Sequence, residues 1–465
     1  MAARRRAGTA SLIVAGLTVA LAGCAGAGGG SSDGGAAAGG DASGDSAGGG
    51  GEVSVIMVNN PQMEDLQTLT EENFTAETGI TVNFTVLPEN DVRDSIATDF
   101  SAQAGQYDVA TISNYEVPFF SSNGWLANLD SYVEEDAEFD QGDILEPIAD
   151  GLRGEDGSLY AQPFYGESSF LMYRADVFEE AGLVMPENPT WDEVAALAEQ
   201  ADGVRPGMDG ICLRGQSGWG QVFAPLTTVV NTFGGTWFDE NFDAQVNSPE
   251  FVEATQFYVD LVTAHGEPGA ANAGFTECLN AMTQGGVAMW YDATSAAGSL
   301  EADGSPVQGL MGYAPAPVKE TDSSGWLYSW AWGVQESSTN KDAAWEFISW
   351  ASSQEYEELV AEELGWARVP AGKRASTYEN PEYQEAAAAF YEQTQQAITS
   401  ADPLDPGVQP RPAPGIQFVA IPEFAGMATE VSLGVSAAIA GQTTVQEALD
   451  NGQQLAQEAG EANKE

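Results

Sequence analysis

Polar side chains directly after two predicted strands could hydrogen-bond to a ligand. The β-rich run 53–58 is followed closely by Asn60, and the run 107–113 is followed by Tyr115. Amide and phenol groups both donate and accept hydrogen bonds, so they can bind a polar ligand. Ligands of parallel sheets bind at the carboxyl ends of the strands, so we expect these side chains at the mouth of a cleft.

Nucleophilic and metal-dependent catalysis has little support in the sequence. The chain contains one histidine, His265, which sits at a predicted helix exit, and three cysteines. A Ser/His/Asp triad needs a histidine, and a zinc site needs several histidines or thiolates. We therefore predict no catalytic residue and no metal site.

Alternating strands and helices must position the polar groups. The first three predicted strands are separated by helical stretches, which indicates a mainly parallel sheet with helices on its faces. The predicted strands lie at 53–58, 81–87, 107–113, within 158–173, at 286–292 and at 327–334. Capping boxes predict helix starts at Thr190 to Glu193, Ser352 to Glu355 and Thr444 to Glu447.

The chain is strongly acidic. Its 465 residues include 70 acidic and 15 basic ones, which gives a formal net charge of −55. Such a charge repels a phosphate backbone, so we exclude nucleic acid as a partner. A solvated surface that keeps an exported protein soluble explains the acidity more simply than calcium binding, because the sequence lacks a D-x-[DN]-x-[DN]-G loop.

The N-terminus has the pattern of a secretory signal peptide. Arginines at 4–6 precede an apolar run of about a dozen residues, which is shorter than the roughly 20 needed to span a bilayer. The sequence Leu-Ala-Gly-Cys at 21–24 resembles a bacterial lipobox, which makes residues 1–23 the signal peptide and Cys24 a lipid anchor. A freely secreted protein cut nearby is the alternative.

Residues 24–51 form a Gly/Ser/Ala-rich tract that we expect to be a flexible tether. About 27 residues of this kind reach roughly 30 Å. The body of the protein would then lie outside the cytoplasm, anchored to the cell membrane. Intracellular cofactors are not expected there, so we predict none, and disulfides are permissible.

Two cysteines remain after the predicted anchor, Cys212 and Cys278. In an oxidising compartment their simplest state is one disulfide, which would close a loop of about 65 residues. Two free buried thiols are the alternative that the sequence leaves open.

Several segments of the chain have a recognisable combined pattern. They are the lipobox with its linker, the opening strand with its asparagines, Gly-Val-Ala-Met-Trp at 286–290, Trp-Gly-Val at 332–334 and Asn-Lys-Asp-Ala-Ala-Trp at 340–345. Together they resemble an extracellular solute-binding protein of a sugar ABC transporter. Within that family, 211–220, Trp290 with Asp292, and 418–424 resemble the branch that binds polyols such as sorbitol and mannitol. The chain departs from this branch at Gln216 and Ser217, where Lys-Pro is expected.

The resemblance implies an α/β protein with the two-lobed, type II periplasmic-binding-protein fold. The ligand cleft lies between lobes that are joined by hinge crossovers and close by rotation. The implied lobes are 52–163 with 293–328, and 164–292 with 329–465. The implied function is that of a monomeric, non-catalytic protein that captures a sugar or polyol and delivers it to the permease subunits of an ABC importer.

A polyol offers a row of hydroxyls, so its site needs charged or amide groups for hydrogen bonds and aromatic faces for its C–H edges. On the resemblance we assign ligand contacts to residues at strand ends, crossovers and loops. The predicted ligand-binding residues are Asn60, Tyr115, Glu167, Arg214, Trp219, Trp237, Trp290, Asp292, Trp330 and Arg368. The alternatives are core packing for any one tryptophan and a surface position for Arg368.

Two other functions compete with this interpretation. A secreted glycosidase or lyase would use a pair of carboxylates, but with 70 acidic residues such pairs carry no information. A surface adhesion lipoprotein is disfavoured by the α/β pattern and by the aromatic residues at strand ends.

Overall fold

The computed structural model describes residues 51–464, whose strands form two sheets. The strands are β1 (Glu52–Val58), β2 (Thr81–Leu87), β3 (Val109–Ser113), β4 (Ala161–Glu167), β5 (Ser169–Arg174), β6 (Asp209–Cys212), β7 (Val287–Ala293), β8 (Met311–Pro315) and β9 (Tyr328–Val334). The first sheet has the order β2-β1-β3-β9-β4, and the second has the order β6-β7-β5-β8. The predicted signal peptide, the Cys24 anchor and nearly all of the tether lie outside the described residues.

Helices connect the strands and pack on the sheets. The α-helices are Pro61–Thr70, Ala76–Thr78, Glu89–Ala102, Val117–Ser122, Asp130–Glu135, Glu146–Gly151, Ala175–Ala181, Trp191–Ala201, Phe223–Thr232, Pro249–His265, Phe275–Thr283, Ala296–Leu300, Lys341–Ser352, Gln354–Leu364, Ala375–Glu379, Pro381–Ala386, Tyr391–Thr399, Phe424–Ile439 and Val445–Ala462. A π-helical turn, Glu71–Thr75, joins the first two, and 3₁₀ turns lie at Ala137–Phe139, Gln141–Asp143, Ala270–Asn272 and Trp366–Arg368. Within 51–464 every helix is too short or too polar to cross a bilayer.

The first sheet is mixed rather than mainly parallel. β1 pairs in parallel with β2 and with β3, as the helical connections between them require. β9 then lies antiparallel between β3 and β4. The strand positions predicted for β1 to β3 are confirmed. The sequence pattern did not predict that β9, a late strand, lies in the middle of this sheet.

The ends of several strands of the two sheets lie close together. In the first sheet Ser113 pairs with Trp330 and Glu167 pairs with Tyr328, so the ends of β3 and β4 meet the beginning of β9. The chain passes into the second sheet directly after Glu167, at Ser168. The backbone N–H of Ser168 donates to the Thr294 hydroxyl at 3.1 Å, which ties this crossover to the end of β7.

The strand pairing differs from the predicted division into lobes at two strands. β8 falls within the segment 293–328, yet it pairs with β5 in the second sheet. β9 falls almost entirely within 329–465, yet it belongs to the first sheet. The sequence analysis placed the return of the chain to the first lobe near residue 293. In the structure the chain passes from the second sheet to the first between β8 and β9. The outer bounds of the lobes stay a prediction.

Two of the three predicted capping boxes are confirmed. Thr190 and Thr444 each cap a helix reciprocally with a glutamate three residues later. The prediction at Ser352 is wrong by one position, because Ser352 ends one helix and Ser353 caps the next by accepting from the Tyr356 N–H.

Cys212 and Cys278 form the predicted disulfide, with Cα atoms 5.6 Å apart. Cys212 ends β6, and Cys278 lies in the helix Phe275–Thr283 that packs on β7. Both cysteines therefore belong to the body built on the second sheet, and the bond does not join the two sheets.

We predict that removal of this disulfide lowers stability without unlinking the two sheets. The double variant Cys212→Ala/Cys278→Ala should lose about 4 kcal/mol of unfolding free energy, because the bond closes a long loop in the unfolded chain. Chemical denaturation measures the loss. Reductant should destabilise the wild type and leave the double variant unchanged, and equal effects on the two proteins would contradict the assignment.

Candidate functional site

A cavity lies between the strand ends of the first sheet and those of the second. Its volume is about 30 Å³, so the side chains that line it lie close together in this structure. The lining alternates charged or amide groups with aromatic faces. The lining residues are Asn60, Glu89, Arg93, Glu167, Arg214, Gly220, Ala224, Phe275, Ala293, Ser295, Trp326, Tyr328, Trp330, Gln417 and Phe418.

A buried ion pair forms one wall of the cavity. Asp292, at the end of β7, has no exposed surface. Arg214 donates to it through Nε at 2.8 Å and Nη2 at 2.6 Å, a bidentate arrangement that fixes the guanidinium plane. The Trp290 indole N–H also donates to Asp292, at 3.0 Å. Trp290 and Asp292 thus act from behind the lining, and Arg214 presents the charge to the cavity.

A second arginine, Arg93, forms the opposite wall. It lies one turn after Glu89 in the helix Glu89–Ala102 and donates to Glu89 Oε1 at 2.9 Å and to the Tyr328 hydroxyl at 2.7 Å. Its guanidinium stacks between two indoles, 4.1 Å from the Trp219 ring centroid and 4.7 Å from that of Trp330. Stacking and ion pairing together hold a desolvated cation in one orientation.

The segment 216–220 meets the helix that carries Glu89. Asn90 Nδ2 donates to the Ser217 carbonyl at 3.0 Å, and Gln221 Nε2 donates to Glu89 Oε2 at 3.1 Å. A Cβ at Gly220 would lie 2.5 Å from Glu89 Oε1, so a larger residue here would displace the Glu89 carboxylate. The two sides of the cavity are therefore joined by direct hydrogen bonds.

Glu167 lies at the crossover between the sheets and lines the cavity. It accepts a hydrogen bond from the Ser295 hydroxyl at 2.6 Å. Burial, opposed by this hydrogen bond and by the charge of Arg214, raises the pKa of Glu167 to about 8. Asn60 lines the same cavity and donates to the Tyr165 hydroxyl at 2.8 Å.

The structure brings four of the ten predicted ligand residues to the lining: Asn60, Glu167, Arg214 and Trp330. Three more support the lining from behind: Trp290, Asp292 and Trp219. Tyr115 packs on Trp219 with ring centroids 4.9 Å apart and faces a neighbouring groove. Which of these residues contact a ligand stays a prediction.

Trp237 and Arg368 lie away from the cavity. Trp237 is enclosed by the aromatic rings of Phe223, Phe251 and Phe424, so it is a core residue of the second body. Arg368 forms an ion pair with Asp65 at 2.5 Å. An arginine among so many carboxylates finds a nearer partner than the cavity, which the sequence could not reveal.

Sequence reasoning missed several lining residues, most importantly Glu89, Arg93 and Tyr328. We predicted Asn60 and Tyr115 because ligands bind at the carboxyl ends of parallel strands. The same rule applies to β2, and Glu89 follows β2 by two residues. Arg93 is then one helical turn further on. Tyr328 lies at the beginning of a strand, and only the antiparallel placement of β9 brings it to this edge.

One cluster of potential metal ligands occurs within residues 51–464, consisting of Cys212, Glu267 and Cys278. Its two sulfurs are joined in the disulfide, so neither is a thiolate that could bind a metal. The cavity itself combines charged groups, amides and aromatic faces. Such a lining suits a small, hydroxyl-rich ligand.

Known proteins that are similar to this chain are binding proteins. The family model described as bacterial extracellular solute-binding protein matches residues 59–358. The chain is 41% identical over 405 residues to a mannitol-binding protein of Pseudomonas aeruginosa, covering 86% of this chain and 91% of that protein. Both matches are to binding proteins, so the alternative of a secreted glycosidase or lyase has no support.

Solved structures agree with the fold. The solute-binding protein of Agrobacterium vitis S4 with bound D-mannitol has a TM-score of 0.86 and 44% identity, covering 89% of this chain and 99% of that one. The solute-binding protein of Agrobacterium radiobacter K84 in complex with ribitol has a TM-score of 0.78 and 24% identity over 88% and 98% of the two chains, which shows the fold alone. The predicted α/β, type II binding-protein fold is confirmed.

We predict that Glu167 makes stability depend on pH. Its folded pKa of about 8 exceeds the ordinary value of 4.5, so between these values the folded protein holds a proton that the unfolded chain has lost. Stability should therefore fall as the pH rises from 5 to 8 and level off above. Half-buried Glu267, whose pKa partial burial raises to about 7, acts in the same direction.

The variant Glu167→Gln isolates the contribution of this one carboxyl. Between pH 5 and pH 8 the unfolding free energy of the wild type should fall by at least about 1.4 kcal/mol relative to that of the variant. Urea denaturation of both proteins measures this difference. The effect of Glu267 cancels in this difference because both proteins contain it. Parallel pH profiles for the two proteins would contradict the assignment.

Proposed function

The chain belongs to the family of bacterial extracellular solute-binding proteins, and on that premise we propose that it binds a linear polyol, with D-mannitol as the first ligand to test. The observation that carries the proposal is the lining of the cavity. Two oriented guanidinium groups, from Arg93 and Arg214, face carboxyl and amide groups across a space bordered by indole and phenol rings. The mannitol bound by the related Agrobacterium vitis protein is a ligand of this kind.

Each hydroxyl of a polyol both donates and accepts a hydrogen bond, so it can bridge a carboxyl oxygen and a guanidinium N–H. In our proposal the ligand hydroxyls bind to Glu167, Arg214 and Asn60, and its carbon chain lies against Trp330. The polar groups are held in place by their own ion pairs and need little reorganisation on binding. A ligand that lacks one of the hydroxyls would leave a buried group unpaired, which is the basis of selectivity.

We propose that binding closes two bodies built on the two sheets. The hydrogen bonds of Asn90 to Ser217 and of Gln221 to Glu89 join the sides of the cavity and would form on closure. Rotation would occur at the crossovers at Ser168 and between β8 and β9, where the chain passes from one sheet to the other. The closed, loaded form is the one that we expect to deliver its ligand to the permease subunits of an ABC importer.

The anchor and tether complete the proposal. A lipid on Cys24 would hold the protein outside the cytoplasm on a leash of roughly 30 Å. Tethering keeps the local concentration near the permease high without any additional contact. We take the protein to act as a monomer.

Isothermal titration with D-mannitol, sorbitol, ribitol, erythritol, glucose and maltose tests the ligand class. We expect binding of at least one linear polyol and a smaller radius of gyration in its presence by solution scattering. Trp330→Phe should weaken that binding by about 1 kcal/mol, roughly fivefold, through the loss of aromatic contact area.

The matched control is Trp237→Phe, since Trp237 lies in the core and away from the cavity. Its dissociation constant should stay within about twofold of the wild type. Silence across the whole panel in ligand-stripped protein would overturn the proposal, and equal effects of the two tryptophan variants would remove Trp330 from the site.

Cys24→Ser tests the anchor. The variant should leave the membrane fraction and appear in the soluble extracytoplasmic fraction, because the serine hydroxyl cannot carry the thioether-linked lipid. Cell fractionation followed by immunoblotting measures the shift. Ser31→Ala, in the same tract, should remain with the membrane, and retention of Cys24→Ser would refute the lipid anchor.

A further inference from the structure

The charges around the cavity do not balance at Glu167. Arg214 is matched by the bidentate carboxylate of Asp292. Arg93 is matched by Glu89 at 2.9 Å and has Glu116 at 3.5 Å as a second partner. Glu167 forms no salt bridge with any residue of 51–464, and the hydrogen bond to its side chain comes from the uncharged Ser295 hydroxyl. It is the lining carboxyl that lacks a cation.

The groups that face Glu167 favour a cation at this position. Arg214 attracts its negative charge, but Asp292 and Glu89 repel it from β7 and from the helix Glu89–Ala102. Tyr165, on the same strand, and Ser295 are uncharged. Burial under these conditions raises the pKa of Glu167 to about 8, so the carboxyl is protonated at neutral pH. A buried acid of this kind becomes a carboxylate when a cation reaches it.

We propose that the site also accepts polyols that carry a primary ammonium group, amino-alditols, with the ammonium bound to Glu167 and the hydroxyls bound as in a neutral polyol. The inference rests on the proposed polyol function and extends its substrate class. The ligand supplies the missing charge, and the carboxyl proton is released to solvent as the carboxylate–ammonium pair forms.

The same arrangement disfavours polyols with a carboxylate group. An anionic end near Glu167 would meet Asp292 and Glu89, and the guanidinium groups that could receive it already bind those carboxylates. A ligand carboxylate in this buried site would add a negative charge beside those of Asp292 and Glu89, which carries a large free-energy penalty. We therefore expect the order ammonium, hydroxyl, carboxylate at the terminal position of the ligand.

Three ligands with one carbon skeleton test this order: D-mannitol, 1-amino-1-deoxy-D-mannitol and D-mannonate. Titration calorimetry of the full chain at pH 7, in two buffers of different ionisation enthalpy, gives affinity and proton release together. We expect the amino-alditol to bind at least as tightly as mannitol, to release about one proton, and to gain about tenfold in affinity from pH 6 to pH 7. Mannitol should release none, and mannonate should bind at least tenfold more weakly than mannitol.

The variant Glu167→Gln places the effect on this residue. Whatever its mannitol affinity, it should lower the ratio of amino-alditol to mannitol affinity at least tenfold and abolish proton release, whereas Trp237→Phe should change neither. If mannitol binds, three outcomes overturn the inference and leave the proposed function intact. They are weaker binding of the amino-alditol than of mannitol, binding of the amino-alditol without proton release, and binding of mannonate as tight as that of mannitol. An unchanged ratio in Glu167→Gln also overturns the inference. Binding of none of the three, when sorbitol, ribitol or erythritol does bind, overturns the inference, and silence across the whole panel overturns the proposed function itself.

Discussion

The ion pair between Arg214 and Asp292 is the interaction on which the cavity depends. Asp292 is fully buried and accepts hydrogen bonds from both Arg214 and Trp290, so removal of the arginine would leave an uncompensated charge in the interior. The pair joins the segment after β6 to the end of β7. Glu89, which belongs to the other side of the cavity, lies 3.7 Å from the same guanidinium. One arginine therefore orders the second sheet's edge and also interacts across the cleft.

The disulfide and the crossovers give this ion pair a fixed frame. Cys212 lies opposite Trp290 in the sheet register and two residues before Arg214, so its bond to the neighbouring helix holds the end of β6 in place. At the crossover, a Cβ on Gly166 would lie 2.1 Å from the Gly372 carbonyl oxygen. Two backbones thus pass in contact directly before Glu167. The closure that we propose would need such a combination of rigid bodies joined by single chain segments.

The sequence predicted local structure and family well, and the composition of the cavity in part. β1 to β3, two capping boxes and the disulfide follow from short-range patterns, because periodicity, caps and cysteine number act within a few residues or through covalent chemistry. The position of β9 in the first sheet could not be predicted in this way. Its neighbours β3 and β4 lie far earlier in the chain, and pairing over such distances depends on the packing of the whole body.

By itself the sequence determined the fold class, the family and the kinds of side chain that a cavity would contain. Only the tertiary structure decided which copies of those side chains reach the cavity. Trp330 and Trp237 are the same residue type, yet one lies at the beginning of a central antiparallel strand and the other within an aromatic core. Arg214 and Arg368 differ likewise, because each guanidinium binds the carboxylate that the fold places nearest to it. Residue type sets what an interaction can be, and long-range packing selects its partner.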